Sequence, residues 1–311
     1  MSEFTEKVSI ITVNFNQPEA TEALLDSIRI NNTYPHTEII VIDNGSRNDP
    51  VPAWQLQYPG VLFIRSAENK GFAGGNNIGI NAAKGDFLFL VNNDTEFTKG
   101  LIPTLLQTMR QHPEAGIVSP KIRYYQEPDI LQYAGFTKMN YYTARNSCIG
   151  QFEKDNGQYD DRTGETAFAH GAAMLVRTSA LKDTGLMKEN YFLYYEEMDW
   201  CDSFKRNGYT IRVNMQALIY HKESLSVGQQ SQLKEYFMNR NRILFIRRNA
   251  GFLQRLFFYL YFILVVTPRN LLQYRKEKMR GFSTQLFRAI GWNLTHSVNS
   301  EDTGYKPVQV K

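Results

Sequence analysis

Cysteine is almost missing from this chain: Cys148 and Cys201 are the only two among 311 residues. Two cysteines are too few for a disulfide framework and show no metal-ligand spacing, which fits a reducing compartment. Also missing is an apolar run near the start. MSEFTEKVSI opens acidic, so no secretory signal is expected and the protein is read as cytoplasmic. In the tail, the uncharged run from Leu256 to Pro268 falls short of the ~20 residues that span a bilayer. There is no G-x-G-x-x-G triad either. The glycine-rich stretch has Gly71, Gly74 and Gly75 instead, which removes most support for a dinucleotide fold.

What is present is enough apolar material for a globular body, 42% hydrophobic and 13% aromatic. The net charge of +4 is unevenly spread: residues 240 to 280 hold ten Arg or Lys against the single acid Glu277, so the body is acidic and the tail basic. A nucleic-acid module carries its cations over a folded face, whereas here they flank an apolar segment. Nucleic acid is therefore not an expected partner. Residues 251–280 are expected to lie at an anionic membrane surface, the alternative being a helix in a contact between two copies of the chain.

The first third alternates apolar runs with amphipathic ones. VSIITVNF (8 to 15), EIIVID (38 to 43), VLFIRS (61 to 66) and DFLFLVNND (86 to 94) read as buried strands. Between the first two, Asn16 reads as a helix cap with Pro18 in the first turn. GFAGGNNIGINAAKG (71 to 85) reads as a glycine-rich turn opening a helix. The pattern predicts an α/β fold with a parallel sheet covered on both faces, binding its ligand beyond the carboxyl ends of the strands. Those ends carry Asn14, Asp43 and Asn44, Asn69, then Asn92, Asn93 and Asp94. Each alone is an ordinary turn former. In succession they would line one rim with the acceptors and amide donors that a nucleoside and its phosphates require. Residues 121–165 read as loops and short strands, and 167–185 as a strand followed by a helix capped by Thr178. The organisation expected is a catalytic domain over 1–250 and a basic, aromatic-rich helical extension over 251–311.

ITVNFNQ (11 to 17), VIDNGS (41 to 46), ENKGFAGGNNIG (68 to 79), LVNNDTEF (90 to 97), HGAAMLVR (170 to 177) and YFLYYEEMDWCDSFKRNGY (191 to 209) stand in the order seen in inverting family-2 glycosyltransferases of the GT-A fold. The chain resembles that family over roughly residues 8–250, most of all its bacterial rhamnosyltransferase branch. The resemblance implies a nucleoside diphosphate sugar donor, with rhamnose on a thymidine carrier leading, and a glycan or lipid-linked glycan acceptor in cell-surface polysaccharide synthesis. It also implies a divalent cation, Mn²⁺ or Mg²⁺, held mainly by Asp94, because Asn92 stands where the family has an aspartate. His221, ending VNMQALIYH, would complete the metal shell or serve the fold alone. Asn14, Asp43, Asn44, Gly71, Asn76, Asn92, Asn93 and Arg240 match donor-binding positions. Glu197 stands where the base aspartate is found, Asp199 is the second candidate, and Glu196 joins the cluster. Acids in a first helical turn also suit the helix dipole. Two other classes compete. A sugar-nucleotide-forming nucleotidyltransferase would need a basic triphosphate loop, which VNFNQPEA lacks; a non-catalytic glycan-binding protein would not need both acidic clusters.

Overall fold

The computed structural model describes residues 5–222 and 231–305. Strands β1 (Val8–Asn14), β2 (Thr37–Asp43), β3 (Val61–Arg65) and β4 (Phe87–Val91) alternate with helices α1 (Pro18–Asn31), α2 (Val51–Gln57) and α3 (Gly71–Ala82). They lie in the order β3-β2-β1-β4, every neighbouring pair parallel. Helix α1 buries Leu24, Leu25 and Ile28, the stripe that its spacing predicts. Its cap position is Gln17, not Asn16. Asn16 has a left-handed backbone (φ 56°), and its Oδ1 accepts from the Arg47 amide at 2.8 Å, closing the turn between two strand ends. Helix α3 can approach β1 because glycines face it: a Cβ on Gly75 would sit 2.7 Å from Val13 Cγ1.

The next elements are β5 (Thr95–Phe97), α4 (Leu101–Gln111), β6 (Ala115–Tyr124), β7 (Leu131–Tyr133), β8 (Thr163–Glu165), β9 (Ala173–Arg177), α5 (Leu181–Thr184), α6 (Glu196–Arg206) and β10 (Thr210–His221). The sheet continues β4-β9-β6-β10-β5, with β9 antiparallel to β4 and β6 and with β10 antiparallel to β5. The expected parallel sheet is therefore parallel in its first half and mixed beyond it. The physical reason is direction. The irregular stretch before β9 lies at the carboxyl rim of the parallel strands, so β9 can only run away from that rim. Thr178 does not cap a helix; its hydroxyl donates to the Gly85 carbonyl at 2.8 Å and ties the end of β9 to the start of β4.

Helices α7 (Gln232–Asn249), α8 (Phe252–Tyr261), α9 (Thr267–Lys276) and α10 (Phe282–Thr295) complete the described chain. A single π turn, Phe262–Val266, joins α8 to α9, making one helical run of 25 residues that is long and apolar enough, by length and composition, to cross a membrane. It exceeds the uncharged stretch because it takes in Arg255 and Arg269. Phe258, Phe262 and Val266 on this run, with Leu286 and Trp292 on α10, share one core with Leu244 and Phe245 of α7 and Trp200 of α6. The C-terminal helices are thus packed on the α/β body.

Candidate active site

The ends of β1 and β2 are joined by their side chains. Asn14 Nδ2 donates to Asp43 Oδ1 at 2.8 Å and to Ser46 Oγ at 3.1 Å, while Asn14 Oδ1 accepts from Gln17 N and Thr21 Oγ1. Asn93 reaches the same network, donating to Thr21 Oγ1 at 3.0 Å. Asn44 spans to the next crossover: its Nδ2 donates to Asn69 Oδ1 and the Gly71 carbonyl, and its Oδ1 accepts from Lys70 N. Asn14, Asp43 and Asn44 are buried, so this half of the rim is preorganised by its own amides. Gly71 is left-handed (φ 71°), and the space of its missing Cβ is taken by the Phe192 carbonyl. It serves close packing. Asn76 donates to Phe72 O within its own helix, at 2.9 Å.

Beyond β4 the chain turns through Asn92-Asn93-Asp94 into β5, whose antiparallel pairing sets Thr95 opposite His221 at the end of β10. That register brings Asp94 and His221 together, with Oδ1 3.1 Å from Nε2. Asn92 Nδ2 lies 3.4 Å from the same ring nitrogen. On the far side of the ring, Nδ1 is 2.7 Å from Gln132 Oε1 on β7. In the tautomer whose Nδ1–H donates to the Gln132 carbonyl oxygen, Nε2 turns a lone pair toward Asp94. Apart from His221, Asp94 Oδ1 has no hydrogen-bonding partner among the described residues. Two facing acceptors, one from a carboxylate and one from an imidazole, fit a divalent cation between them. Among the described residues no group of three or more His, Cys, Asp or Glu could hold a metal, so the remaining ligands would come from diphosphate and water.

Sequence reasoning missed two residues here. Gln132 sits in a three-residue strand buried at every position, with no local signal of its role. His170 opens the quoted HGAAMLVR and could have been singled out by that place. Its ring centroid is 6.1 Å from that of His221 and it stacks on Phe136, while its Nδ1 accepts from Ala172 N at 3.1 Å. Burial, and next the neighbouring His221, push His170 down to about 3, so it is neutral.

The acidic cluster opens α6 from a strained turn. Phe192, Tyr194 and Tyr195 are all left-handed (φ 63°, 71° and 74°), conformations that cost of order 1–3 kcal/mol each in residues of this bulk. One amide spans the turn: Asn241 Nδ2 donates to the carbonyls of Tyr191, Leu193 and Tyr194 at 2.9, 2.7 and 2.8 Å. Arg240 fixes that amide, its Nη1 donating to Asn241 Oδ1 at 2.6 Å while its guanidinium lies 3.8 Å over the Trp292 ring. Arg240 is fully buried between α7 and α10, and burial pushes it down to about 10, still charged at neutral pH. The sequence sets Arg240 near the diphosphate; here its partners are Asn241 and Trp292 inside the protein. Arg240 shapes the turn that carries the acids.

The three acids differ. Asp199 is buried, its Oδ1 accepting from Tyr191 OH, Arg248 Nε and Asn249 Nδ2 at 3.1, 3.0 and 2.7 Å, which pins α6 to α7. Glu196 is also buried and its Oε2 has no hydrogen-bonding partner among the described residues; burial, then the Glu197 charge, raise its carboxyl well above the ordinary range. Glu197 is part-exposed and lies beside Gly171, where an added methyl would stand 3.8 Å from its Cγ. Gly171 directly follows His170, whose ring is 6.1 Å from that of His221. Burial raises the Glu197 carboxyl too.

A sequence model of Glycosyl transferase family 2 matches residues 9–185, which takes in Asn14, Asp43 and Asp94 and stops before the acidic turn. The low-salt glycan biosynthesis hexosyltransferase Agl10 of Haloferax volcanii is 26% identical over 247 residues, 77% of this chain and 75% of its own. The N-acetylglucosaminyl-diphospho-decaprenol L-rhamnosyltransferase of Mycobacterium tuberculosis is 23% identical over 72% of this chain and 79% of its own. The fold superposes on the mannosyltransferase PcManGT of Pyrobaculum calidifontis, solved with GDP-Man and Mn²⁺, with a TM-score of 0.56 at 14% identity, covering 94% of this chain and 88% of that one. The architecture is of the GT-A type.

Proposed function

Because this chain belongs to glycosyl transferase family 2, we propose that it moves a sugar from a nucleoside diphosphate onto a hydroxyl of a glycan or lipid-linked glycan, inverting the anomeric carbon, with Glu197 as the base. It is a nucleotide-sugar glycosyltransferase of glycan synthesis. The observation that carries the base assignment is the contrast within α6: Asp199 is committed to three donors and Glu196 is sealed, whereas Glu197 is part-exposed beside Gly171. The acceptor oxygen attacks the anomeric carbon from the face opposite the diphosphate. Its proton passes to Glu197 as the bond from the sugar to the diphosphate oxygen breaks. Asp94 and His221 would hold a divalent cation, which when bound stabilises charge on the departing diphosphate. Asn14, Asp43 and Asn44 form the nucleoside end of the rim, with Asn92 and Asn93 beside the diphosphate.

For the donor, a deoxyhexose on thymidine diphosphate leads. It is supported by the sequence likeness to the mycobacterial rhamnosyltransferase and by the GFAGGNN and NNDT motifs. We assign the acceptor to a cavity of about 300 Å³ lined by Tyr195, Lys234, Asn239, Arg242, Asn270 and Phe282, since Tyr195 directly precedes the acids. The test is release of nucleoside diphosphate from a panel of sugar nucleotides, with Mn²⁺ or Mg²⁺ and a lipid-diphosphate glycan acceptor. Release from dTDP-rhamnose that Asp94→Ala abolishes supports the reading. Release from a different donor alone replaces rhamnose, and donor binding without release from any sugar nucleotide counts against transfer.

A further inference from the structure

The helical run Phe252–Lys276 has two opposite stripes. Phe258, Phe262 and Val266, four residues apart, are buried in the core shared with α7. Leu253, Leu256, Leu260 and Leu264, spaced i, i+3, i+7 and i+11, have 51 to 71% of their surface exposed, and Phe257 beside them is half exposed with its ring edge-on to Tyr142 of the body. At 100° per residue the two stripes lie on opposite sides of the helix. A contiguous apolar stripe of this length on an otherwise folded protein marks a contact surface.

We propose that this run lies in the plane of an anionic membrane surface, with the Leu253 to Leu264 stripe dipped between the lipids. Charge selects the occupant. From 252 to 280 there are six cations, Arg255, Arg269, Arg275, Lys276, Lys278 and Arg280, against the single acid Glu277. Two copies of the chain meeting through the stripe would bring two such sets together, whereas an anionic leaflet neutralises them. The packing selects the orientation. A helix fastened to the body by Phe258, Phe262 and Val266 cannot also be surrounded by lipid, so it lies on the bilayer and does not cross it, although its length would allow crossing. The placement is independent of the donor and of the base, and it holds the cavity lined by Asn270 close to the membrane plane.

The test is co-sedimentation of the full chain with vesicles of phosphatidylcholine alone or containing phosphatidylglycerol. Two variants are compared with it: Leu256→Gln/Leu260→Gln/Leu264→Gln, and Arg275→Gln/Lys276→Gln/Lys278→Gln/Arg280→Gln. The native chain is expected to bind the anionic vesicles, to be released by carbonate washing, and to bind more weakly as salt rises. The leucine variant is expected to lose on the order of 10²-fold in partitioning while its melting temperature stays near native, since the three side chains are exposed. The charge variant is expected to lose the preference for phosphatidylglycerol. Equal binding of the native chain and the leucine variant would overturn the proposal. So would resistance to carbonate washing, which means a spanning helix, or a native dimer that the leucine variant splits without any vesicle present.

Discussion

Asn241 on α7 donates its amide to the carbonyl of Tyr194 at 2.8 Å, and that single contact reaches across to the residue two places before Glu196. The same amide holds the carbonyls of Tyr191 and Leu193, so one side chain spans the turn that contains the left-handed Phe192 and Tyr194 and leads into α6. Asn241→Ala is expected to lower turnover at least ~10-fold, because misplacing a reacting group by an ångström has effects of that size or larger. Donor KM is expected to change little, and stability to fall by about 1–3 kcal/mol for the unpaired carbonyls. Steady-state kinetics and thermal melting of the same preparation check both.

Glu197 and Asp199 separate by the kind of damage their loss does. Glu197→Gln is expected to reduce turnover by ~10²- to 10⁴-fold and leave the fold and donor binding intact. Asp199→Asn is expected to destabilise first, since it weakens the two hydrogen bonds from Arg248 and Asn249 that tie α6 to α7 and the buried one from Tyr191. If the asparagine variant melts like the native chain yet is inactive, the base is Asp199. A base must be ionised to act, and burial raises the Glu197 carboxyl, so the acid limb of the pH–rate profile is expected above the ordinary glutamate value of about 4.3.

Much of this was legible in the sequence, and the parts that were not have local reasons. The four apolar runs and their polar ends follow from period and turn chemistry, which are local properties. Asn16 was misread as a cap because its side chain is used across the sheet, by Arg47, and no window around Asn16 contains that partner. Arg240 was placed at the diphosphate because an arginine-asparagine pair matches a motif. Its stacking on Trp292, which sits on a helix in the C-terminal extension, turns it inward. Gln132 was invisible because a buried glutamine in a short strand has meaning only once His221 lies beside it.

Gln132→Leu tests that partnership. Without an acceptor at Nδ1 the His221 ring loses its fixed tautomer, and metal affinity is expected to fall ~10- to 100-fold, as for other residues that orient a metal ligand from behind. Titration of Mn²⁺ in the presence of nucleoside diphosphate reads this without turnover. Unchanged Mn²⁺ affinity would remove Gln132 from the site.

Glu196→Gln is expected to stabilise the protein, and to do so only at higher pH. The Glu196 carboxyl is raised well above the ordinary range by burial and by Glu197, so the folded state prefers its neutral form. That preference supports folding fully below the unfolded pKa of about 4.3 and is lost as pH rises through the raised value. The glutamine keeps the neutral form at every pH. Melting curves of the two chains should coincide in acid and diverge in favour of Glu196→Gln toward neutral and alkaline pH; the opposite order would show that the Glu196 charge has an unseen partner.

Asn92 and His221 meet although 129 residues separate them, because β10 closes the sheet by pairing antiparallel with β5. A contact of that sequence separation is among the slowest for a chain to find, since a long loop must close before any pairing compensates for the lost entropy. The Asp94 and His221 pair therefore exists only when the last strand of the sheet has docked. A cation bound there would hold the finished fold together without assisting its earlier steps, so the same β10 that completes the site would make its ligand a lock on unfolding.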